Sequence, residues 1–245
     1  MTTRLLERQV RLLDYLTSSG AIFGEEEDAT LDPALRGMDP RLLRLEACFS
    51  HEKRMEKIIA VFPNTYRLLG AERAAIVREF VKAHPPTDIT RIENARQFYD
   101  FLSSRWRCQP PEPPYLEDVA ACEFACARVR VNISPPKEEP MSGGQARRDG
   151  IRRHPDMVLL RCAYNIRPIV EDDAEEVAVV KRDTPLAIAI PPDAEQPKIF
   201  EVPPPVFDVL AALHDWTDRS ELGTAPEVDE LICELAQHGL IEAGR

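Results

Sequence analysis

Glycine is scarce in this chain, at 10 residues in 245, and none of it forms a phosphate-cradling loop, a dinucleotide fingerprint or a GxSxG elbow. Those absences remove the usual signatures of nucleotide-using enzymes and serine hydrolases. Histidine is equally thin. His51, His84, His154, His214 and His238 stand singly, with no HxH, HExxH or Cys/His zinc spacing among them. The six cysteines form no CxxC pair and are expected to be reduced core residues. Cys122 and Cys126 lie on one face of a predicted helix, where core packing is preferred to chelation. No apolar run approaches the roughly 18 residues a membrane span needs. Met1–Arg4 leads into an amphipathic run rather than the apolar core of a secretory signal. The expectation is a cytoplasmic chain that holds no metal or cofactor itself, is not catalytic alone and meets no membrane.

Basic charge is missing where a nucleic-acid binder would carry it. Residues 1–150 hold 22 Lys and Arg against 23 Asp and Glu, whereas residues 151–245 hold 9 against 19. A DNA-binding face exchanges counterions through a basic surface, and this C-terminal third is strongly acidic. With 44% hydrophobic and 30% charged residues the chain has enough apolar content for cores of ordinary size.

The N-terminal portion reads as helices. A stripe of Leu5, Leu6, Val10, Leu13 and Leu16 predicts a helix over 3–17, stopped at Gly20. Glu25–Asp28 reads as a solvated loop. Asp39 as N-cap and Pro40 at the first helical position open a second helix reaching Val61. That helix is expected to bury Leu42, Leu45, Phe49, Met55, Ile58, Ile59 and Phe62 in part, and Phe62-Pro63 breaks it. Further helices are expected over 64–69 and 71–83, around Phe98 and Leu102, and from Leu116 past Ala127. No strand candidate interrupts them, so residues 1–133 are expected to be a helical bundle.

Residues 134–150 read as a Pro/Gly/Ser linker and 151–245 as a second domain. Val158–Val170 is β-rich and is expected to be its first strand. Leu186–Ile190 and Lys198–Val202 read as a hairpin around the turn Pro191–Pro197. Helices are expected over 206–213 and 228–237, and Gly239–Glu242 closes the unit. Hairpin, helix, turn and helix in that order predict a winged helix-turn-helix. The fold class is therefore α+β, an all-α bundle followed by a small winged helix.

Two resemblances attach to these residues. Ile58–Arg73, with Phe80–Pro86, Phe98–Leu102 and Pro114–Ala120, resembles the HvfC/BufC-type N-terminal helical domain family over roughly residues 45–130. Phe49–Met55 departs from the commoner pattern and resembles the branch that includes partner subunits of methanobactin and 3-thiaglutamate biosynthesis. Ala187–Asp193, Ile199–Val202, Val206–Leu213 and Val228–Glu242 are similar to PqqD-type leader-peptide recognition domains. Pro203–Pro205 departs from that pattern and leaves the first residue of the helix open.

The resemblances imply a heterodimer with a TIM-barrel, multinuclear non-haem iron enzyme, with iron in that partner. They also imply a ribosomally made precursor peptide as ligand and no nucleic acid. An added strand of the leader would pair with an exposed sheet edge by β-augmentation. The expected peptide-binding residues are Lys198, Ile199, Phe200, Glu201 and Val202 on the edge and Glu230, Leu231, Glu234 and Leu235 on the last helix. The polar run His51, Lys53 and Arg54 is the expected partner interface, with a solvated helix face as its plain reading. A winged-helix DNA-binding regulator, or an adaptor in a metal-stress operon, are the alternatives.

Overall fold

Asp39 opens the longest helix of the N-terminal portion by accepting a hydrogen bond on its Oδ1 from the Arg41 amide at 2.9 Å, with Pro40 in the first turn. The structure is a computed structural model, and it describes residues 2–24, 32–132, 150–171, 178–223 and 225–244. The expected loop Glu25–Asp28 and the expected linker up to residue 149 lie outside those residues. The protein is a mixed helix-and-sheet, α+β chain, with two small antiparallel sheets among the described residues. It divides into two compact units, Met1–Glu112 and Pro113–Arg245.

The described residues of the first unit are built of helices α1 (Thr2–Leu16), α2 (Ser19–Phe23), α3 (Pro40–Ile59), α4 (Pro63–Leu68), α5 (Arg73–Ala83) and α6 (Arg91–Cys108), with two 3-10 turns between them. Its core is aromatic. Phe80 and Phe98 meet edge to face with ring centroids 5.1 Å apart, and Phe62 lies 5.7 Å from Phe98. Ile58, Ile76 and Leu102 are fully enclosed around them.

Two expected stripes point the other way. On α1, Leu5, Leu6 and Leu13 are each 62% exposed, and on α3 Leu42, Leu45 and Phe49 are 64%, 49% and 47% exposed. Helix α3 carries two apolar faces, Leu43, Ala47 and Ile58 on one and Leu42, Leu45 and Phe49 on the other. A single helix can turn only one of them to its own core.

The second unit contains α7 (Leu116–Asn132), β1 (Gly150–Arg153), β2 (Val158–Tyr164), α8 (Arg167–Glu171), β3 (Lys181–Ala189), β4 (Lys198–Glu201), α9 (Pro204–Ala212), β5 (Thr217–Asp218), α10 (Pro226–Gln237) and β6 (Ile241–Ala243). Helix α7 packs on β2 and β3, so it belongs with this unit and not with the helices before it. The strand expected over 158–170 ends at Tyr164. Ile166, Ile169 and Val170 instead lie at the spacing of one helical turn, and Ile166 and Ile169 are buried. Among the described residues the first strand is β1, Gly150–Arg153.

One sheet has the order β5-β1-β6 and the other β2-β3-β4. Ala187, Ala189, Phe200 and Val202 face a core shared with Leu210 of α9 and Ile232 and Leu235 of α10. Leu186 and Ile188 project from the opposite face, which α7 covers, so β3 is enclosed on both sides. Helix α9 starts at Pro204, with Pro203 at its N-cap, which fixes the start the proline run left open. Gly239 ends α10 in a left-handed conformation at φ 69°. A Cβ there would meet the Ile190 carbonyl oxygen at 2.9 Å, so glycine is required both by the turn and by the close approach.

Candidate functional site

Strand β4 pairs with β3 through Ala189–Lys198, Ile188–Ile199, Ala187–Phe200 and Leu186–Glu201, and lies at the end of the sheet order. One hydrogen bond sets the phase of this ladder. The Val202 amide donates to the Pro185 carbonyl at 3.0 Å, so Pro185–Val202 is a hydrogen-bonded pair. Such pairs alternate in an antiparallel ladder, which makes Ala187–Phe200 and Ala189–Lys198 hydrogen-bonded too. The backbone groups of Lys198 and Phe200 are thus directed to β3. Those of Ile199 and Glu201 are directed outward, to the open edge. The expected binding strand therefore offers an incoming chain two residues, not five.

The same phase accounts for a proline inside the central strand. Pro185 directs its backbone toward β4 at the point where β4 ends, so no donor is missing on the β2 side.

The side chains separate by face. Phe200 packs against the core shared with α9 and α10 and lies 4.9 Å from the His238 ring, centroid to centroid. Leu231 is half-buried on the same side. Glu230 and Glu234 are exposed on α10, whose described charged residues are all acidic. Val202 and Leu235 are buried in the core, so of the expected residues these two support the site from behind. On the other face Glu201 is held by Arg182 at 2.8 Å, with Arg167 at 3.7 Å. His238, Arg182 and Arg167 are thus neighbours of the edge that the sequence did not single out. Only the register of the hairpin and the end of α10 bring them there.

The other end of the sheet is treated differently. Among the described residues strand β2 also lacks a second strand partner, but Asp118 of α7 accepts the Tyr164 amide at 3.0 Å and takes the Ala163 amide as well. Burial pushes the Asp118 carboxyl above its usual range against the pull of those amides. A carboxylate on the end of an edge strand occupies donors that another chain would need.

The expected partner-interface residues are separated by the fold. Lys53 is exposed. Arg54 is turned inward and only 8% exposed, donating from Nε to Asn94 at 2.9 Å, from Nη1 to the His84 carbonyl at 2.8 Å and from Nη2 to Gln97 at 2.8 Å. Its guanidinium also lies 4.5 Å from the Phe80 ring centroid. Burial among these neutral acceptors lowers its pKa to about 10. Arg54 ties α3 to α6 and to the end of α5, and is not available to a partner. His51 is half-buried, edge-on to Phe23 at 5.7 Å, and burial, then the nearby Arg54, lower its pKa.

Cys122 and Cys126 share a hydrogen bond, which together with burial raises the Cys122 thiol. Burial near Asp118 pushes Cys162 up to about 12. Cys122 and Cys162 are buried, and Cys126 is half-buried beside Cys122. Among the described residues no group of three or more His, Cys, Asp or Glu is placed to hold a metal ion, and no helix is long and apolar enough to cross a membrane. No protein-family model and no curated protein matches the chain.

Proposed function

We propose that this protein is a non-catalytic partner subunit that binds the leader of a ribosomally made precursor peptide. It presents the peptide's cysteine-containing end to a TIM-barrel, multinuclear non-haem iron enzyme. In this reading the N-terminal helices are the docking bundle and the C-terminal unit is a winged helix of the leader-recognition type, working in the cytoplasm. The observation that carries it is the β4 edge. Ile199 and Glu201 direct donors and acceptors outward, while at the end of the opposite edge Asp118 takes the Tyr164 and Ala163 amides.

Backbone pairing at two residues supplies a generic grip on an extended chain, and the flanking side chains supply selection. Phe200, Leu231 and His238 offer an apolar and aromatic surface on one face. Glu230 and Glu234 favour a basic residue there. The charge balance agrees, since residues 113–245 hold 14 Lys and Arg against 25 Asp and Glu, and residues 1–112 hold 17 of each. The acidic α10 is unsuited to a DNA groove.

For the docking face, the exposed Leu5, Leu6 and Leu13 of α1 and Leu42, Leu45 and Phe49 of α3 replace Arg54 as the supporting feature. The test is a titration of labelled precursor peptide, chosen as a short Cys-containing product encoded beside a TIM-barrel iron enzyme. Saturable binding to the wild type is expected, with loss on blocking the edge. Tight, saturable binding of duplex DNA at physiological salt instead would overturn the proposal.

A further inference from the structure

Within the second unit lies a cavity of about 280 Å³ that pairing at the β4 edge does not use. Its inner wall is apolar, since Val129 of α7, Met157 just ahead of β2 and Ala189 at the end of β3 are all buried. Two tight turns form its rim. In one, the Met157 amide donates to the His154 carbonyl at 3.2 Å across Pro155 and Asp156. In the other, the Ala194 amide donates to the Pro191 carbonyl at 3.0 Å across Pro192 and Asp193. Each turn has proline at its second position, where the ring presets φ, so the rim is stiff before anything binds.

The polar groups of the rim are unequally engaged. His154 accepts the Asp156 amide on Nδ1 at 3.3 Å, and its Nε2 lies 3.8 Å from Glu242. The half-buried Asp156 carboxylate takes part in no hydrogen bond or ion pair among the described residues. No Lys or Arg among the described residues lines the cavity, so this carboxylate faces it without a counter-ion. Asp193 and Glu195, exposed on the second turn, add charge of the same sign. One carboxylate and one histidine whose Nδ1 is already taken do not make a metal site.

We propose that this cavity takes the side chain of a lysine from a bound peptide. The four-carbon stem lies on Val129, Met157 and Ala189, and the ammonium meets the Asp156 carboxylate. The volume is below the roughly 300–1,000 Å³ of cofactor and drug-sized pockets and suits a single side chain. An anion would be repelled by Asp156, and a wholly apolar group would leave that carboxylate desolvated and unpaired. An arginine brings five donors to one carboxylate and leaves more of them unmet than the three of an ammonium. Ala189 pairs with Lys198 at the start of β4, so the cavity lies at that end of the sheet. Naming the leader as the peptide rests on the function proposed above; the preference for a lysine side chain does not.

The experiment titrates the full ¹⁵N-labelled chain with acetyl-lysine-methylamide and follows the backbone amides of Asp156, Met157 and Ala194. Acetyl-norleucine-methylamide is the uncharged match and acetyl-arginine-methylamide the guanidinium match. Saturable shifts are expected with the lysine probe at a Kd of about 1 mM, and at least about tenfold weaker binding of the norleucine probe. Asp156→Asn keeps the turn, because asparagine suits that position, and should weaken the lysine probe at least about tenfold while leaving the norleucine probe unchanged. Amides unmoved by about 20 mM lysine probe in the wild type would overturn the proposal, a result that needs no variant to fold. So would a norleucine or arginine probe that binds as tightly as the lysine probe. A precursor peptide that binds while these amides stay still would overturn the pocket and leave the leader reading standing. Lysine-probe binding without precursor binding would keep the pocket and remove the leader as its source.

Discussion

The Val202 amide donates to the Pro185 carbonyl at 3.0 Å, and this bond decides which residues of the neighbouring strand face outward. With its phase set there, β4 spends the backbone groups of Lys198 and Phe200 inside the sheet and keeps those of Ile199 and Glu201 at the edge. The two kinds of position respond oppositely to proline.

Ile199→Pro is expected to leave the sheet intact, because it removes only an outward amide, and to abolish peptide pairing. The loss of one hydrogen bond with its partner left unsatisfied is about 1–3 kcal/mol, or roughly 5- to 150-fold in affinity. Phe200→Pro should instead disrupt the bond to Ala187 and destabilise the unit itself. Circular dichroism and a precursor-peptide titration on both variants check this. A folded Ile199→Pro variant that binds as the wild type does would remove the edge mechanism.

Glu234→Lys reverses a charge on the exposed side of α10 without touching its core. Binding of a basic leader should weaken several-fold at low salt, with the difference shrinking at higher ionic strength as screening grows. A leader neutral at that position should be almost unaffected. Titrations at two salt concentrations give the comparison.

Asp118 supplies a pH test with a definite sign. Burial raises its carboxyl pKa in the folded protein above the unfolded value, so its ionised form opposes folding. That penalty is present at neutral pH, above the folded pKa, and vanishes as pH falls through it toward the unfolded value. Asp118→Asn keeps an oxygen to accept the Tyr164 amide and cannot ionise. It should be more stable than wild type at pH 7 and lose that advantage as the pH is lowered past the carboxylate range. Denaturant unfolding at a series of pH values measures it, and a constant offset at every pH would contradict the sign.

Paired substitutions separate the two apolar faces of the first unit. Leu6→Glu with Leu13→Glu is expected to change stability by no more than about 0.5 kcal/mol each, since both side chains are mostly in solvent. Ile58→Ala, at a fully buried position, should cost about 2–5 kcal/mol. Under the proposed function the double Glu variant also fails to co-purify with the iron enzyme. Retention of the complex would place docking elsewhere.

Arg54→Ala should destabilise the first unit by at least about 3 kcal/mol. It leaves the oxygens of Asn94, Gln97 and His84 without their donor in a buried setting. A denaturation midpoint close to that of wild type would return Arg54 to the surface.

Much of the layout is legible in local chemistry. Asp39-Pro40 announces a helix start, Phe62-Pro63 a break, and the apolar runs flanking Pro191–Pro197 a hairpin, because caps, prolines and period-two patterns act within a few residues. The acidic character of α10 is equally a matter of composition. Local pattern does not decide between competing partners. Leu42, Leu45 and Phe49 carry as good a stripe as the face that α3 buries, and only the shape of the rest of the unit selects the inner one. Arg54 reads as a solvated charge until Asn94, Gln97 and His84, 30 to 43 residues away, are seen to converge on it.

The same division holds at the β4 edge. Its existence follows from alternation and turn residues, so the sequence alone determined that a short strand runs from Lys198. Which of its amides point outward depends on the register against β3, set by Pro185 and Val202 across the sheet. What takes the last amides of β2 depends on α7 bringing Asp118 to them. Both are long-range facts, and only the tertiary structure, where residues far apart in the chain compete for the same donors, decided them.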